Sequence, residues 1–277
     1  MSISSSYLTS LYSSVSSDGG SSLLGTLYGL GGQTANASGQ TPVQALQSAE
    51  TNQAQDIKAT AAQPTVQHAI AAFTKSVTSA TSVAQLLANP EVMKVLLTAN
   101  GLGDQTDYTA LATKALTSDL TDPNSLANVL PNTLWKTAAT TYNFAKNGLS
   151  VIQQPATIAS LTAAYTQTVW EQSLDASTRG LSSALAFRSQ ASSIKSVDQI
   201  LGNSTLRNVV TTALGVPQEI AFQSMNAQEL AISSRLDITQ FQDPKFVESF
   251  VDRFLIANGA SATATSTSDL TTLSVEA

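Results

Sequence analysis

The strongest constraint on this chain is that part of it is written twice. Ser82–Leu102 reads SVAQLLANPEVMKVLLTANGL and Ser196–Val216 reads SVDQILGNSTLRNVVTTALGV. They align without a gap at an offset of 114 residues, with nine of 21 positions identical and four more exchanging one aliphatic for another. What is kept is structural. The polar residues Asn89 and Asn203 coincide, as do Gly101 and Gly215 and the apolar sets Leu86, Leu87, Val92, Val95, Leu96 and Ile200, Leu201, Leu206, Val209, Val210. Positions read as surface, such as Ala84/Asp198 and Met93/Arg207, drift. Phe73 and Phe187 share the offset, and Asp122-Pro123 matches Asp243-Pro244 at 121, so a short insertion lies between. Generic helix bias would not bring caps, stops and core into one register. The reading is a duplicated multi-helix unit.

Each unit reads as helix. Pro64 suits a first helical position, where its missing N–H costs nothing. Val66, Ile70, Phe73 and Val77 then recur at the spacing of one helix face. In Asn89-Pro90-Glu91 the Asn caps, the Pro sets φ and the Glu favours the positive helix end. Gly101 supplies a left-handed stop. The Asp-Pro pairs predict helices over Pro123–Leu130 and Pro244–Ala257. A longer helix is expected over Pro155–Ala176, with Ile158, Leu161, Tyr165, Val169 and Leu174 inward. Trp135, Ala138, Tyr142 and Ala145 mark one before Gly148. Period-two alternation is absent, so little or no sheet is expected.

The ends differ in composition. Residues 1–45 are rich in Ser, Gly and Thr, too little apolar surface to offset chain entropy. Tyr7, Leu8, Leu11 and Tyr12 nevertheless have helical spacing, and Leu23, Leu24, Leu27 and Tyr28 form a second cluster. The expected layout is an all-α chain: a disordered arm over 1–45, a first helical repeat over 46–150, a second over 151–259 and a disordered tail over 260–277, with Leu270 and Leu273. The repeats either pack about a pseudo-twofold axis or fuse into one bundle.

Composition excludes several functions. Thirteen basic residues and a net charge of -6 do not supply the clustered cations that displace phosphate counterions, so nucleic acid is not expected as a partner. Without cysteine there is no disulfide, thiolate ligand or cysteine nucleophile. Residues 1–30 show no basic n-region and no continuous apolar run of a cleavable signal. No stretch approaches the roughly 20 apolar residues of a membrane helix.

No catalytic, cofactor or metal residues are assigned. His68 is the one histidine and cannot make a two-histidine metal site. No G-x-S-x-G, G-x-G-x-x-G, G-x-x-x-x-G-K-[ST] or H-E-x-x-H occurs. Ser118–Asn124 gathers oxygen groups, but Leu120 and Pro123 interrupt any calcium-loop pattern, and capping accounts for Asp122. Glu248 and Asp252 form the best carboxylate pair, with Arg253 beside them, and read as a solvated helix face. Trp135 and Trp170 sit at core spacing.

The segments Ser82–Pro90, Val95–Leu102 and Leu116–Asn128 resemble family 1217 of the domains of unknown function, a helical alphaproteobacterial family whose genes often lie near flagellar genes. The likeness is good over residues 50–150 and continues as a diverged copy. Ser204 stands where the first copy has Pro90, implying a looser helix start. The family carries no established catalytic residue. The resemblance implies a non-enzymatic, flagellum-associated structural or accessory protein whose partners are other protein chains, secreted or placed in the flagellum without a cleavable signal. The alternative is a cytoplasmic scaffold or chaperone-like module for flagellar proteins.

Overall fold

A computed structural model describes residues 39–271, with side chains through residue 259. The clusters Tyr7–Tyr12 and Leu23–Tyr28, and Leu273, lie outside those limits, and Leu270 is described by its backbone alone. The described residues form helices and turns, with no strand among them, as the missing period-two pattern predicts. In chain order the helices are α1 (Pro42–Ala61), α2 (Pro64–Ser79), α3 (Val83–Leu87), α4 (Pro90–Ala99), α5 (Thr109–Leu116), α6 (Leu126–Val129), α7 (Thr133–Tyr142) and α8 (Phe144–Asn147). Then come α9 (Pro155–Leu174), α10 (Leu181–Gln190), α11 (Val197–Gly202), α12 (Ser204–Ala213), α13 (Met225–Ser233) and α14 (Pro244–Thr271).

The two matching segments have the same local structure. Ser82 and Ser196 cap α3 and α11 by accepting from the N–H of Gln85 and Gln199. Those Gln side chains in turn accept from the N–H of Thr81 and Lys195. Asn89 and Asn203 each accept two N–H bonds at the start of α4 and α12. Gly101 and Gly215 have φ of 72° and 63°. They end the two helices with paired bonds, Leu102 N–H to Leu97 O and Gly101 N–H to Thr98 O, matched by Val216 N–H to Thr211 O and Gly215 N–H to Thr212 O. This is the six-to-one, five-to-two closure that a left-handed residue allows, with the following apolar residue turned inward. Pro90 is replaced by Ser204, yet the cap on α12 is complete.

Some expectations are corrected. Asp122-Pro123 starts a turn rather than a helix. The Asp122 carboxylate accepts from Asn124 N–H, and helix resumes only at Leu126. The helix expected before Gly148 breaks at Asn143, whose φ is 43°, a conformation asparagine tolerates better than most residues. Ala145 is exposed. Met93, read as a surface position, is 1% exposed, on a helix that packs against both α2 and α9. The arm's end is helical from Pro42, and the α14 backbone continues past Ala260 to Thr271, where a disordered tail was expected.

The second copy is seven residues longer between its Gly215 stop and Asp243, four of them before Asp237 and the last three Gln240–Gln242. Asp119 and Asp237 both accept from the N–H and hydroxyl of the Thr two residues on, at 2.9 and 2.7 Å in each case. Three residues later the registers part. The insert forms a 3-10 turn, Ile238–Gln242, and places Phe241 in the core against Phe187 and Phe250, with ring centroids 5.2 and 5.3 Å away. After the insert, Asp243-Pro244 leads straight into α14. The first unit instead folds back through α6 and α7 over α5.

Two hydrophobic cores result, and they do not follow a division at residue 150. One is drawn from Val66 through Tyr165 and includes Ile152 and Leu161, so α9 belongs to it. The other is drawn from Leu181 through Leu255 and includes Ala45 and Leu46 of α1. Helices α1 and α9 correspond: each is 20 residues long, starts with Pro and precedes the Phe-bearing helix of its unit. The N-terminal part of α9 therefore packs into the first core and that of α1 into the second. They cross one another, α9 lying on α4 and α1 on α14.

Candidate protein-interaction surface

The exchange leaves a cavity of about 160 Å³ where the units meet, lined by Gly103, Asp104, Glu171, Gln172, Gln190 and Asn203 among others. Asp104 lies on a 3-10 turn that follows the Gly101 stop, and its Oδ2 accepts from Ser204 Oγ at 2.5 Å, joining the units. Burial pushes the Glu171 carboxyl up, against a hydrogen bond from Gln167 that holds it down. Ser182 donates to Asp175, but the other Asp175 oxygen accepts from the N–H of Gly180 and Ser182. That carboxylate organises the turn into α10. The cavity brings the carboxylates of Asp104 and Glu171 together with the hydroxyls of Ser182 and Thr205.

The residues singled out in the sequence are scattered. His68 is exposed on α2. Asp119 and Asp122 cap successive turns, and the Thr121 hydroxyl and N–H hold the Asp119 carboxyl below its usual range. Glu248 and Asp252 share a face of α14. Burial chiefly raises the Asp252 carboxyl, the Glu248 charge adds to that, and Arg188 of α10 opposes it. Arg188 itself is ion-paired with Glu50 of α1, a link between the units. Arg253 stands over the Phe250 ring. Trp135 and Trp170 are each 2% exposed. Among the described residues no three His, Asp or Glu side chains group to hold a metal ion.

A different region stands out, one the sequence did not single out. Phe222, Met225 and Leu230 are 90%, 53% and 67% exposed. They follow one another on a 3-10 turn, Gln218–Phe222, and on α13. The turn and helix are fixed by several contacts. Ser224 caps α13. The buried Gln228 side chain donates to Ala221 O and Gln223 O, and Ile232 anchors the helix in the second core. In the first unit α5 lies under α7, whereas α13 packs on α11 and the preceding turn and has no such cover. Large apolar side chains exposed on adjoining segments are the material of interaction sites, and aromatic anchors dominate binding energy at such sites.

Comparison with known proteins gives two matches. Residues 99–247 match the family described as "Protein of unknown function (DUF1217)". The X-ray structure of protein AGR_C_984 from Agrobacterium tumefaciens is similar, with a TM-score of 0.64 and 24% identity over 77% of this chain and 91% of that one. At that identity the likeness shows the fold alone. No curated protein matches the chain.

Proposed function

We propose, for a chain that belongs to the DUF1217 family of proteins of unknown function, that it is a non-enzymatic, flagellum-associated structural or accessory protein acting through contacts with other protein chains. The observation that carries the binding part is the display of Phe222, Met225 and Leu230 on a pinned turn and helix. Its flagellar setting is what the sequence resemblance implies. Among the described residues no helix is long and apolar enough to cross a membrane, so the contact proposed is with protein.

The test is fractionation of cells with and without a working flagellar export apparatus. The protein is expected in the flagellar or extracellular fraction only when export works. A Phe222→Asp, Leu230→Asp double variant should leave that fraction at least severalfold depleted while keeping its helical circular dichroism, since both side chains are exposed. Wild-type protein confined to the cytoplasm in both strains would favour a cytoplasmic scaffold. A double variant distributed like wild type would overturn the surface.

A further inference from the structure

Helices α1 and α9 are equivalent in length and place, but they are held differently. Helix α9 is joined to described helices at both ends and buries Leu161, Tyr165, Thr166 and Trp170 along its course. Helix α1 has no aromatic residue. It buries Pro42, Ala45, Leu46 and Ala49 in its first turns, and from Glu50 to Ala59 no residue is fully buried, Ile57 being half-buried. Its capping box, Thr41 with Gln44, is made inside the helix and travels with it. The Glu50–Arg188 ion pair joins it to α10, but the two side chains are 36% and 37% exposed, and pairs open to water contribute little. Among the described residues, Ala62 and Gln63 form the covalent link from α1 to the helices that follow. Both are exposed, and Gln63 is extended ahead of Pro64, as a residue before proline prefers. The first core starts at Val66 and draws nothing from α1. Segments with few buried apolar contacts open at lower free energy than the core beside them, and a helix of this length is marginal in water once detached.

We propose that α1 is a releasable strap on the second unit. It lies across α9, α10 and α14, and it leaves that seat by turning about Ala62–Gln63 while the other helices of both units stay folded. Leu46, 3% exposed, is its one large buried side chain and sets how often it opens. The opened form uncovers the seat of Ala45, Leu46 and Ala49 and leaves the first core intact. Helix α9 cannot act in this way, because chain continues from both of its ends and its aromatic anchors span the two units.

Hydrogen exchange of the full chain, read by mass spectrometry, tests the strap. Amides of residues 46–61 are expected to exchange at least a hundredfold faster than those of α4 and α12. A tether supplies the second arm of the test. The chain has no cysteine, so Glu50→Cys with Arg188→Cys places two thiols across the seat, and a short bis-maleimide joins them. The joined protein should exchange over residues 46–61 at least tenfold more slowly than the same variant left unjoined, with α2 and α4 unchanged. If residues 46–61 exchange in step with α12, in wild type, α1 is an integral part of the second core and the proposal fails. It fails equally if α2 opens in step with α1, or if the tether leaves the exchange of residues 46–61 unaltered.

Discussion

Asn89 and Asn203, 114 residues apart, make the same bonds to equivalent partners. Each side-chain oxygen accepts two N–H bonds at the start of its helix. Each amide then donates back to a side chain thirteen residues earlier, Ser76 Oγ at 3.1 Å and Gln190 Oε1 at 3.4 Å. One residue thus starts a helix and ties it to the long helix before it. Asn203 is the more buried, at 6% exposed. Asn89→Ala and Asn203→Ala should each cost about 0.5–2 kcal/mol, as lost caps do, with Asn203→Ala the larger because it strands buried N–H groups. Denaturant melts of both variants check this.

The units diverge at Gly202, which stands where the first has Ala88. A Cβ built on Gly202 lies 2.4 Å from Pro131 Cβ and 2.7 Å from its carbonyl carbon, so the glycine lets α11 meet the chain between α6 and α7. Gly202→Ala copies the first unit's residue and should still destabilise, by about 1–3 kcal/mol, as overpacking does. Ala88 is exposed, and Ala88→Gly should change stability by only about 1 kcal/mol or less. The two melts, compared side by side, check the asymmetry.

The three residues inserted just before Asp243 work through Phe241. It is 1% exposed and touches the rings of Phe187, Phe246 and Phe250. Phe241→Ala should cost about 3–5 kcal/mol, read as a fall in the unfolding midpoint, whereas a change within about 0.5 kcal/mol is that of a surface site.

Glu171 predicts a pH effect. Burial raises its folded-state pKa, so folding favours the protonated form. Its contribution is fully present below the unfolded-state pKa and lost as pH rises through the folded value. Glu171→Gln should therefore be more stable than wild type at pH 7, and the gap should close on acidification through the carboxylate range. Denaturant midpoints at pH 7 and pH 4 check the sign; a variant less stable at pH 7 would contradict it.

What the sequence made legible was local. Caps, glycine stops and the inward faces of Phe73, Leu86, Leu96, Ile200 and Val210 depend on neighbours within one or two turns, and all five side chains are 1% exposed or less. The chain's path was not legible. Nothing in residues 42–61 or 155–174 says that the two helices trade cores, because either core accepts the same Ala and Leu side chains. Met93 was misplaced for the same reason, since its helix packs against both α2 and the distant α9. The candidate surface was hidden because exposure at Phe222 and Leu230 depends on which elements pack beside α13, and that is set by the tertiary fold.

The exchange of first helices is tested most directly by native-state hydrogen exchange on Leu46→Ala and Leu161→Ala in the full chain. Leu46 lies on α1 but in the second core, and Leu161 on α9 but in the first. Each truncation should cost about 2–5 kcal/mol locally. Leu46→Ala is expected to speed amide exchange in α10, α12 and α14 and to spare α2 and α4; Leu161→Ala is expected to do the reverse. If Leu46→Ala instead loosens α2 and α4 while α12 and α14 keep their protection, each unit holds its own first helix and the exchanged architecture is wrong.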